Sequence, residues 1–542
     1  MLLEAPRQRM PAAASSRHRC QPHRPGSAGA TTLATLLACA VLLVGAVPST
    51  GAGPAPALRA AGASRTLWFL VPDGSGDFPT IQAAFDSPLV LDGDEIVLAD
   101  GVYQGPGNSM LDPGEKELII RSASGIPQRC VLDGEGTARG FWLHGNQTSA
   151  MEIRDLTLRN MRSTGACPFC NGAAFLLADS TYLHNGASPL IANCIVRDCW
   201  SEETGAGLFA NVFSAPIIRD CHFTANEARE GAAICLNTGY ADSSVRIIDC
   251  FFDANTADRA GGLLDIHAGP QSGEPAVVVE GCIFRNNRAL GEPPLRDNKP
   301  RAGGAIYFWT TPAAVDHCSL YGNEGTQEAG GIYVDHGSHV TITATIISSS
   351  IGAAVACDET STVDSMACCD LFANSGGDWT DCIAGFAPAF EPSNLSSDPR
   401  FCDPEAADFH LQADSPCLPG ALCPEGIGAL VATCAESGVP GTGFGAEEGL
   451  VLRPVPHPFL ANGGRIVYRL PPTRRPVRVL LTIHDASGRL VRRLEDGWRT
   501  AGEHAVVWDG RDERGQSLPS GSFWVRARAG EATADRSLLL VY

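Results

Sequence analysis

Lysine is almost missing. Only Lys116 and Lys299 occur in 542 residues, and 40 basic residues face 60 acidic ones for a net charge of −20. That deficit excludes a nucleic-acid binder working by broad phosphate neutralisation. Charged residues reach only 18%, while hydrophobic ones reach 44%, so the chain can bury a core and is not globally disordered. Long apolar runs are also lacking: the one candidate, residues 33–47, is too short for a comfortable membrane helix. No G-x-S-x-G, phosphate-binding loop or H-E-x-x-H occurs, so no motif names a nucleophile, a nucleotide or zinc. Gly (59) and Pro (37) are too many for a mostly helical chain and too few for collagen.

What is present divides the chain. Residues 1–32 hold five Arg and one acid, then comes the apolar run, then Pro48-Ser49-Thr50-Gly51-Ala52. A basic lead, a short apolar core and small residues predict an export signal over 1–52. Leu36-Leu37-Ala38-Cys39 loosely matches a lipoprotein box, but Cys39 lies inside the apolar core. Residues 451–542 carry 15 Arg and 9 acids, a net of +6, and no Cys; residues 53–450 carry −30 and 18 Cys. The change of charge sign and Cys use predicts two domains, 66–434 and 451–542, joined by a Gly- and Pro-containing linker at 435–450. Export also predicts that some of the 18 Cys form disulfides.

The middle of the chain repeats. Cys221-His222-Phe223-Thr224-Ala225-Asn226 precedes Gly231-Ala232-Ala233-Ile234, and Cys250-Phe251-Phe252-Asp253-Ala254-Asn255 precedes Gly261-Gly262-Leu263-Leu264. Cys282, Phe284, Asn287 and Gly303-Gly304-Ala305-Ile306 follow, then Cys318, Leu320, Asn323 and Gly330-Gly331-Ile332-Tyr333. Cys369, Leu371 and Asn374 are a weaker unit, and Cys194 and Val196 open the series with Cys199 in the Asn place. Cys spacings of 27, 29, 32 and 36 mean stacked units that bury a core only with their neighbours. Short period-2 runs between Gly and Asn turns, without helical periodicity, predict a right-handed parallel β-helix. The Asn would take a left-handed turn and link rungs in a ladder, Gly pairs would form tight corners, and Cys and Phe/Leu would stack inward. The segment Gly291-Glu292-Pro293-Pro294-Leu295-Arg296-Asp297-Asn298-Lys299-Pro300 reads as an extruded loop.

These repeats resemble β-helix repeats of bacterial surface proteins. The opening Val71-Pro72-Asp73-Gly74-Ser75-Gly76-Asp77-Phe78-Pro79-Thr80-Ile81-Gln82-Ala83-Ala84 is similar to the first turn of pectin-lyase-like folds, which implies a short helix capping the open end. Asp398-Pro399-Arg400-Phe401-Cys402 through Gly426-Ile427-Gly428-Ala429 looks like their closing segment. The last 90 or so residues resemble the Ig-like domain of FlgD, the flagellar hook cap, and the related sorting domains of type IX secretion. The resemblance rests on Pro456-His457-Pro458-Phe459, Ile483-His484-Asp485-Ala486-Ser487-Gly488-Arg489, Val507-Trp508-Asp509-Gly510 and Pro519-Ser520-Gly521. It implies a small Ig-like β-sandwich with Trp508 in its core, Asp509-Gly510 in a turn and 477–483 as a strand. The basic residue usual near the end of sorting domains is missing from Leu538-Leu539-Leu540-Val541-Tyr542.

Pectinesterase and pectate-lyase residues do not carry over, so site candidates come from aligning the rungs. Counted from the Gly pairs, Asn211, Asn237, His267, Trp309 and His336 share one column; Phe209, Cys235, Asp265, Tyr307 and Val334 lie two residues earlier; Ala210, Leu236, Ile266, Phe308 and Asp335 lie between. Alternation points the middle column inward and the others outward. Asp265 and His267 would then be candidate acid/base groups, with Tyr307, Trp309, His336, Asn237 and Asn211 as substrate-binding residues; a plain polar outer face is the alternative.

Asp73–Asp77 and Asp92–Glu95 could hold calcium or be plain turns. Cys221, Cys250, Cys282 and Cys318 read as a buried thiol ladder whose spacing would also allow disulfides between rungs. Cys167 and Cys170 read as a local staple, and Cys402, Cys417, Cys423 and Cys434 as staples of the closing segment. The expectation is a monomeric, secreted or cell-surface protein that binds a polysaccharide or another cell-surface component. A polysaccharide lyase or hydrolase is the alternative.

Overall fold

The structure, a computed structural model, describes residues 65–430 except 166–169, 179–185, 212, 238–243, 266–274 and 291–302. It also describes Cys434 and residues 451–541 except 461–462, 471–476, 486–488, 500–501, 519–520 and 530–531. The expected export signal, the linker, Cys167, His267 and the 291–300 loop lie outside the described residues. No helix among the described residues is long and apolar enough to cross a membrane.

One rung shows how the repeat folds. Val245–Ile248, Phe251–Asp253, Thr256–Arg259 and Leu263–Asp265 are four short strands separated by tight corners. Each pairs in parallel with its counterpart in the next rung: Val245 with Val277, Phe252 with Phe284, Thr256 with Arg288, Leu263 with Ile306. Repetition gives an 11-stranded stack, a 10-stranded stack, and a 13-stranded sheet whose two arms meet in the long strand Glu324–Asp335. This is a parallel β-helix.

Its interior follows from the repeated residues. Phe223, Phe252 and Phe284 are fully buried and stack at 5.3 and 4.4 Å with nearly parallel rings. Cys194, Cys221, Cys250, Cys282, Cys318 and Cys369 are buried free thiols rather than inter-rung disulfides. Their Sγ–H groups donate to backbone carbonyls; Cys250, for example, reaches Ile218 O and Ile248 O. Burial pushes the thiols of Cys194, Cys221, Cys250 and Cys282 well above their ordinary range.

The Asn ladder is present. Asn226 Nδ2 donates to Asn255 Oδ1 at 2.9 Å, Asn255 to Asn287 at 2.9 Å and Asn287 to Asn323 at 3.0 Å. The left-handed residue, however, is the one before each Asn: Ala225, Ala254, Asn286 and Gly322 have φ of 52–62°. Asn earns its place by side-chain hydrogen bonds, and the neighbour absorbs the turn.

Both ends are closed. The helix Ile81–Asp86, capped by the Thr80 side chain on the N–H of Ala83, buries Ile81, Ala84 and Phe85 against the first rung. The 3₁₀ segment Asp381–Phe386 packs Ile383 against the same core at the far end. The expected closing segment instead lies along the outside of the 10-stranded stack. Phe401, Phe409, Leu411 and Ile427 bury themselves there with the outward residues Ile283 and Ile346. Disulfides join Cys357 to Cys382, Cys368 to Cys423 and Cys402 to Cys434, while Cys417 stays a free buried thiol hydrogen-bonded to Asp370 at 3.1 Å.

The C-terminal residues form a separate seven-stranded, mainly antiparallel ladder with one parallel pairing. Alternation along Val477–Asp485 turns Val479, Leu481 and Ile483 inward onto Trp508, Phe523 and Val525. Trp508 is fully buried and its indole N–H donates to Arg511 O at 2.9 Å; Gly510, at φ 71°, makes the following turn.

Candidate functional site

The register corrects the rung alignment by one residue. Ile234 pairs with Leu263, and Leu263 with Ile306. The corner residue is Gly231 (φ 56°) in one rung and Gly303 (φ 69°) two rungs on, but Ala260 (φ 55°) in the rung between. Gly261-Gly262 therefore follows the corner instead of making it. A one-residue slip exchanges the two faces of a strand. Asp265 consequently shares a column with Leu236, Phe308 and Val334, all inner-core residues. It is completely buried and does not belong to an outward patch. The Gly330-Gly331 rung slips in the same way: Asp335, placed inward by the sequence, lies beside Trp309, and Val334 lies inward.

Tyr307 faces away from the inner core, as expected, yet it is fully buried in a second apolar cluster with Leu264, Phe209 and Tyr333. Its hydroxyl donates to the Asp335 carboxylate. Burial, reinforced by that carboxylate, raises its ionisation far above the ordinary phenol range, so it remains a proton donor holding Asp335 in place. Arg259, paired with Glu230 at 2.9 Å, lies 5.8 Å from the Tyr307 ring.

Trp309 and His336 form the accessible part. Their ring centroids are 4.5 Å apart, and the His336 side chain is 48% exposed. His336 Nδ1 lies 2.8 Å from Asp335 Oδ1, and the His336 backbone N–H donates to Asp335 Oδ1 at 2.9 Å and Asp358 Oδ2 at 3.2 Å. His336 itself has φ 56°, a costly conformation for a non-glycine residue. Burial would raise the Asp358 pKa, but hydrogen bonds from Ser361, Thr360 and the His336 N–H outweigh it and hold the carboxylate at about 2. Ligand atoms of Asp335, His336 and Asp358 lie within 4.8 Å of one another. Chemically this is a fixed aromatic platform beside two ionisable acceptors.

Of the other candidates, Asn211 and Asn237 pair with each other, Asn237 Nδ2 to Asn211 Oδ1 at 2.9 Å. The two acidic runs that could hold calcium or be plain turns make local contacts. Asp94 accepts from Thr66 N, Trp68 Nε1 and Leu91 N, Asp73 from Ser75, and Asp77 from Phe69 N. Sequence reasoning missed Asp335 and Asp358; the first was displaced by the slip and the second lies on a rung without a Gly pair. It also missed a similar grouping at the other end of the stack, where Trp142 packs on His144 at 4.2 Å and His144 Nε2 meets Asp112 at 3.0 Å.

Fold and site together define an all-β protein with an outward aromatic and acidic edge on a parallel β-helix, followed by an Ig-like module. Residues 463–533 match the FlgD Ig-like domain. The chain is similar to the basal-body rod modification protein FlgD of Salmonella typhimurium and to that of Salmonella typhi, each at 37% identity over 89 residues. The match takes in 16% of this chain and 34% of each relative, so the chain spans about a third of the relatives' length. No solved structure matches.

Proposed function

We propose that this is an exported, cell-surface protein that binds a glycan along the solenoid, with the Ig-like module as spacer or anchor. The observation that carries the reading is the Trp309–His336 platform, held beside the carboxylates of Asp335 and Asp358 by Tyr307 and by the strained His336 backbone. A sugar ring presents an apolar face for stacking and hydroxyls for carboxylate acceptors, which is this combination. The Trp142–His144–Asp112 grouping repeats it about 24 Å away, five rung spacings of roughly 4.8 Å along the same stack, as suits a polymer longer than one sugar. The negative charge of residues 53–450 selects against polyuronates and favours neutral glycans.

The enzymatic alternative loses the pair assigned to it, because Asp265 is enclosed in the inner core. The test is a panel of neutral and acidic polysaccharides, with retention of the full chain and release of reducing ends measured side by side. Retention on a neutral polysaccharide without release supports binding. Release that disappears in Asp358→Asn would replace the binding reading with a catalytic one, and absence of both would remove it.

A further inference from the structure

The 10-stranded stack carries a cavity on its outer wall. Register places Tyr321, Ser348 and Phe372 in one outward column, so a small serine sits between two aromatic residues, one rung to either side. In the neighbouring outward column, Ile283 and Ile346 are covered by the segment 398–430. Over Ser348 the same segment leaves a space of about 360 Å³, bounded by Phe401, Asp398 and Gln412 as well as by the column. Ser348 is 1% exposed, and its Oγ has no hydrogen-bond partner among the described residues. Ser319, one rung earlier in the neighbouring column, shows the contrast: its Oγ accepts from Ala429 N at 3.0 Å. A buried hydroxyl without a partner is uncommon in a folded interior, and this one belongs to the floor of the cavity. The disulfides Cys368–Cys423 and Cys402–Cys434 hold the covering segment in place, so the cavity is preformed.

The geometry points to a binding site for a neutral mono- or disaccharide. Rungs repeat at roughly 4.8 Å. A ring seated over Ser348 therefore lies one spacing from Tyr321 and one from Phe372, within the roughly 4.5–7 Å span of ring contacts. Tyr321 is steadied by edge contacts with Phe401 at 6.2 Å and Phe409 at 5.9 Å, and its hydroxyl donates to Glu405 Oε1 at 3.1 Å. The rim is polar. It holds Asp398, whose Oδ1 accepts from Arg400 N at 2.9 Å, and Gln412, whose Nε2 donates to Phe401 O at 3.2 Å. Arg400 lines the rim too, but its guanidinium is engaged by Asp414, and the Asp398 carboxylate disfavours an anionic ligand. A neutral sugar offers an apolar ring face to the aromatic walls and hydroxyl donors to the carboxylate and amide oxygens. The volume is at the lower end for small-molecule sites, which suits a sugar of this size rather than a polymer. Trp309 lies on the 13-stranded sheet and takes no part in this cavity, so either site can fail without the other.

The experiment is calorimetric titration of the full chain with glucose, galactose, N-acetylglucosamine, cellobiose and galacturonate. At least one neutral sugar should bind saturably and raise the melting temperature. Ser348→Leu fills the notch and should weaken binding of that sugar at least tenfold, while the melting temperature without sugar stays near that of the parent. Ser348→Ala, which keeps the space and removes the hydroxyl, should lose less. Phe372→Ala removes one wall and should also weaken binding, which keeps the test decisive if the leucine variant does not fold. Asp398→Asn, at an exposed side chain, should narrow the wild-type preference for galactose over galacturonate. Trp309→Ala should leave all these affinities unaltered. No saturable binding of a neutral sugar by the wild type, unchanged affinity in folded Ser348→Leu or in Phe372→Ala, or tighter binding of galacturonate than of galactose would overturn the assignment.

Discussion

Replacing Asn255 by alanine probes the ladder that fixes rung spacing. Asn255 is fully buried. Its Oδ1 accepts from Asn226 N at 3.0 Å and Asn226 Nδ2 at 2.9 Å; its Nδ2 donates to Phe223 O at 2.9 Å and Asn287 Oδ1 at 2.9 Å. Asn226 Nδ2 keeps Val196 O, and Asn287 Oδ1 keeps the Asn255 backbone N–H. The backbone N–H of Asn226 and the Phe223 carbonyl lose the side-chain partner. At about 1–3 kcal/mol for each of the two buried polar groups so deprived, the loss should be about 2–6 kcal/mol, with no compensating gain because alanine leaves a gap. Since a solenoid can open locally, the assay is hydrogen exchange of the amides at 221–262, with urea unfolding as a check. Exchange there should accelerate by at least 30-fold, as about 2 kcal/mol implies. The double variant Asn255→Ala/Asn287→Ala should cost less than the sum of the singles. Protection and urea midpoint within error of the parent would refute the claim that the ladder stabilises the stack.

Further outcomes follow from other parts of the molecule. The thiols of Cys221, Cys250 and Cys282, deeply buried with raised pKa, should resist a thiol-reactive disulfide at pH 8 until denaturant is added; rapid labelling of the folded chain would contradict their placement. Burial raises the Asp370 pKa to about 6, ahead of the opposing Ser397 N–H and Cys417 thiol. Its folded pKa thus exceeds the unfolded value near 3.9, so this group favours the folded state below that value and loses the benefit as pH rises through 6. Cooling of the melting transition between pH 4 and pH 7, corresponding to about 2 kcal/mol for this buried group, should be abolished in Asp370→Asn, and a dependence that persists would exclude Asp370 as its source. Trp508→Ala should cost the C-terminal module about 3–5 kcal/mol, read as loss of its near-ultraviolet circular dichroism; retained signal would show that Trp508 is not its anchor.

The repeat made the architecture legible because buried columns tolerate few residue types. Cys, Phe and Asn recur where sulfur packing, ring stacking and amide ladders demand them, so the coil could be counted from them. The corners were less legible. Gly231, Ala260 and Gly303 share a left-handed corner, and an alanine there hides the true register while Gly261-Gly262 imitates it. That substitution moved Asp265 to the wrong face and hid Asp335. Tyr307 was placed on the correct side but with the wrong exposure, since strand alternation cannot reveal that an outer column is covered. The disulfides and the path of residues 398–430 along the outer wall depend on contacts distant in sequence, such as Cys368 with Cys423 and Ala429 N with Ser319 Oγ. The Ig-like module was legible from local motifs around Trp508.

The most direct test of the glycan-binding account is a titration of the full chain and its Trp309→Ala variant with the neutral polysaccharide best retained by the wild type. Removing the stacked ring should weaken binding at least tenfold, about 1.4 kcal/mol, while the melting temperature stays close to that of the parent because Trp309 is only partly buried. Equal affinity in the two proteins would contradict the account and move the binding site, if there is one, away from the Trp309–His336 edge.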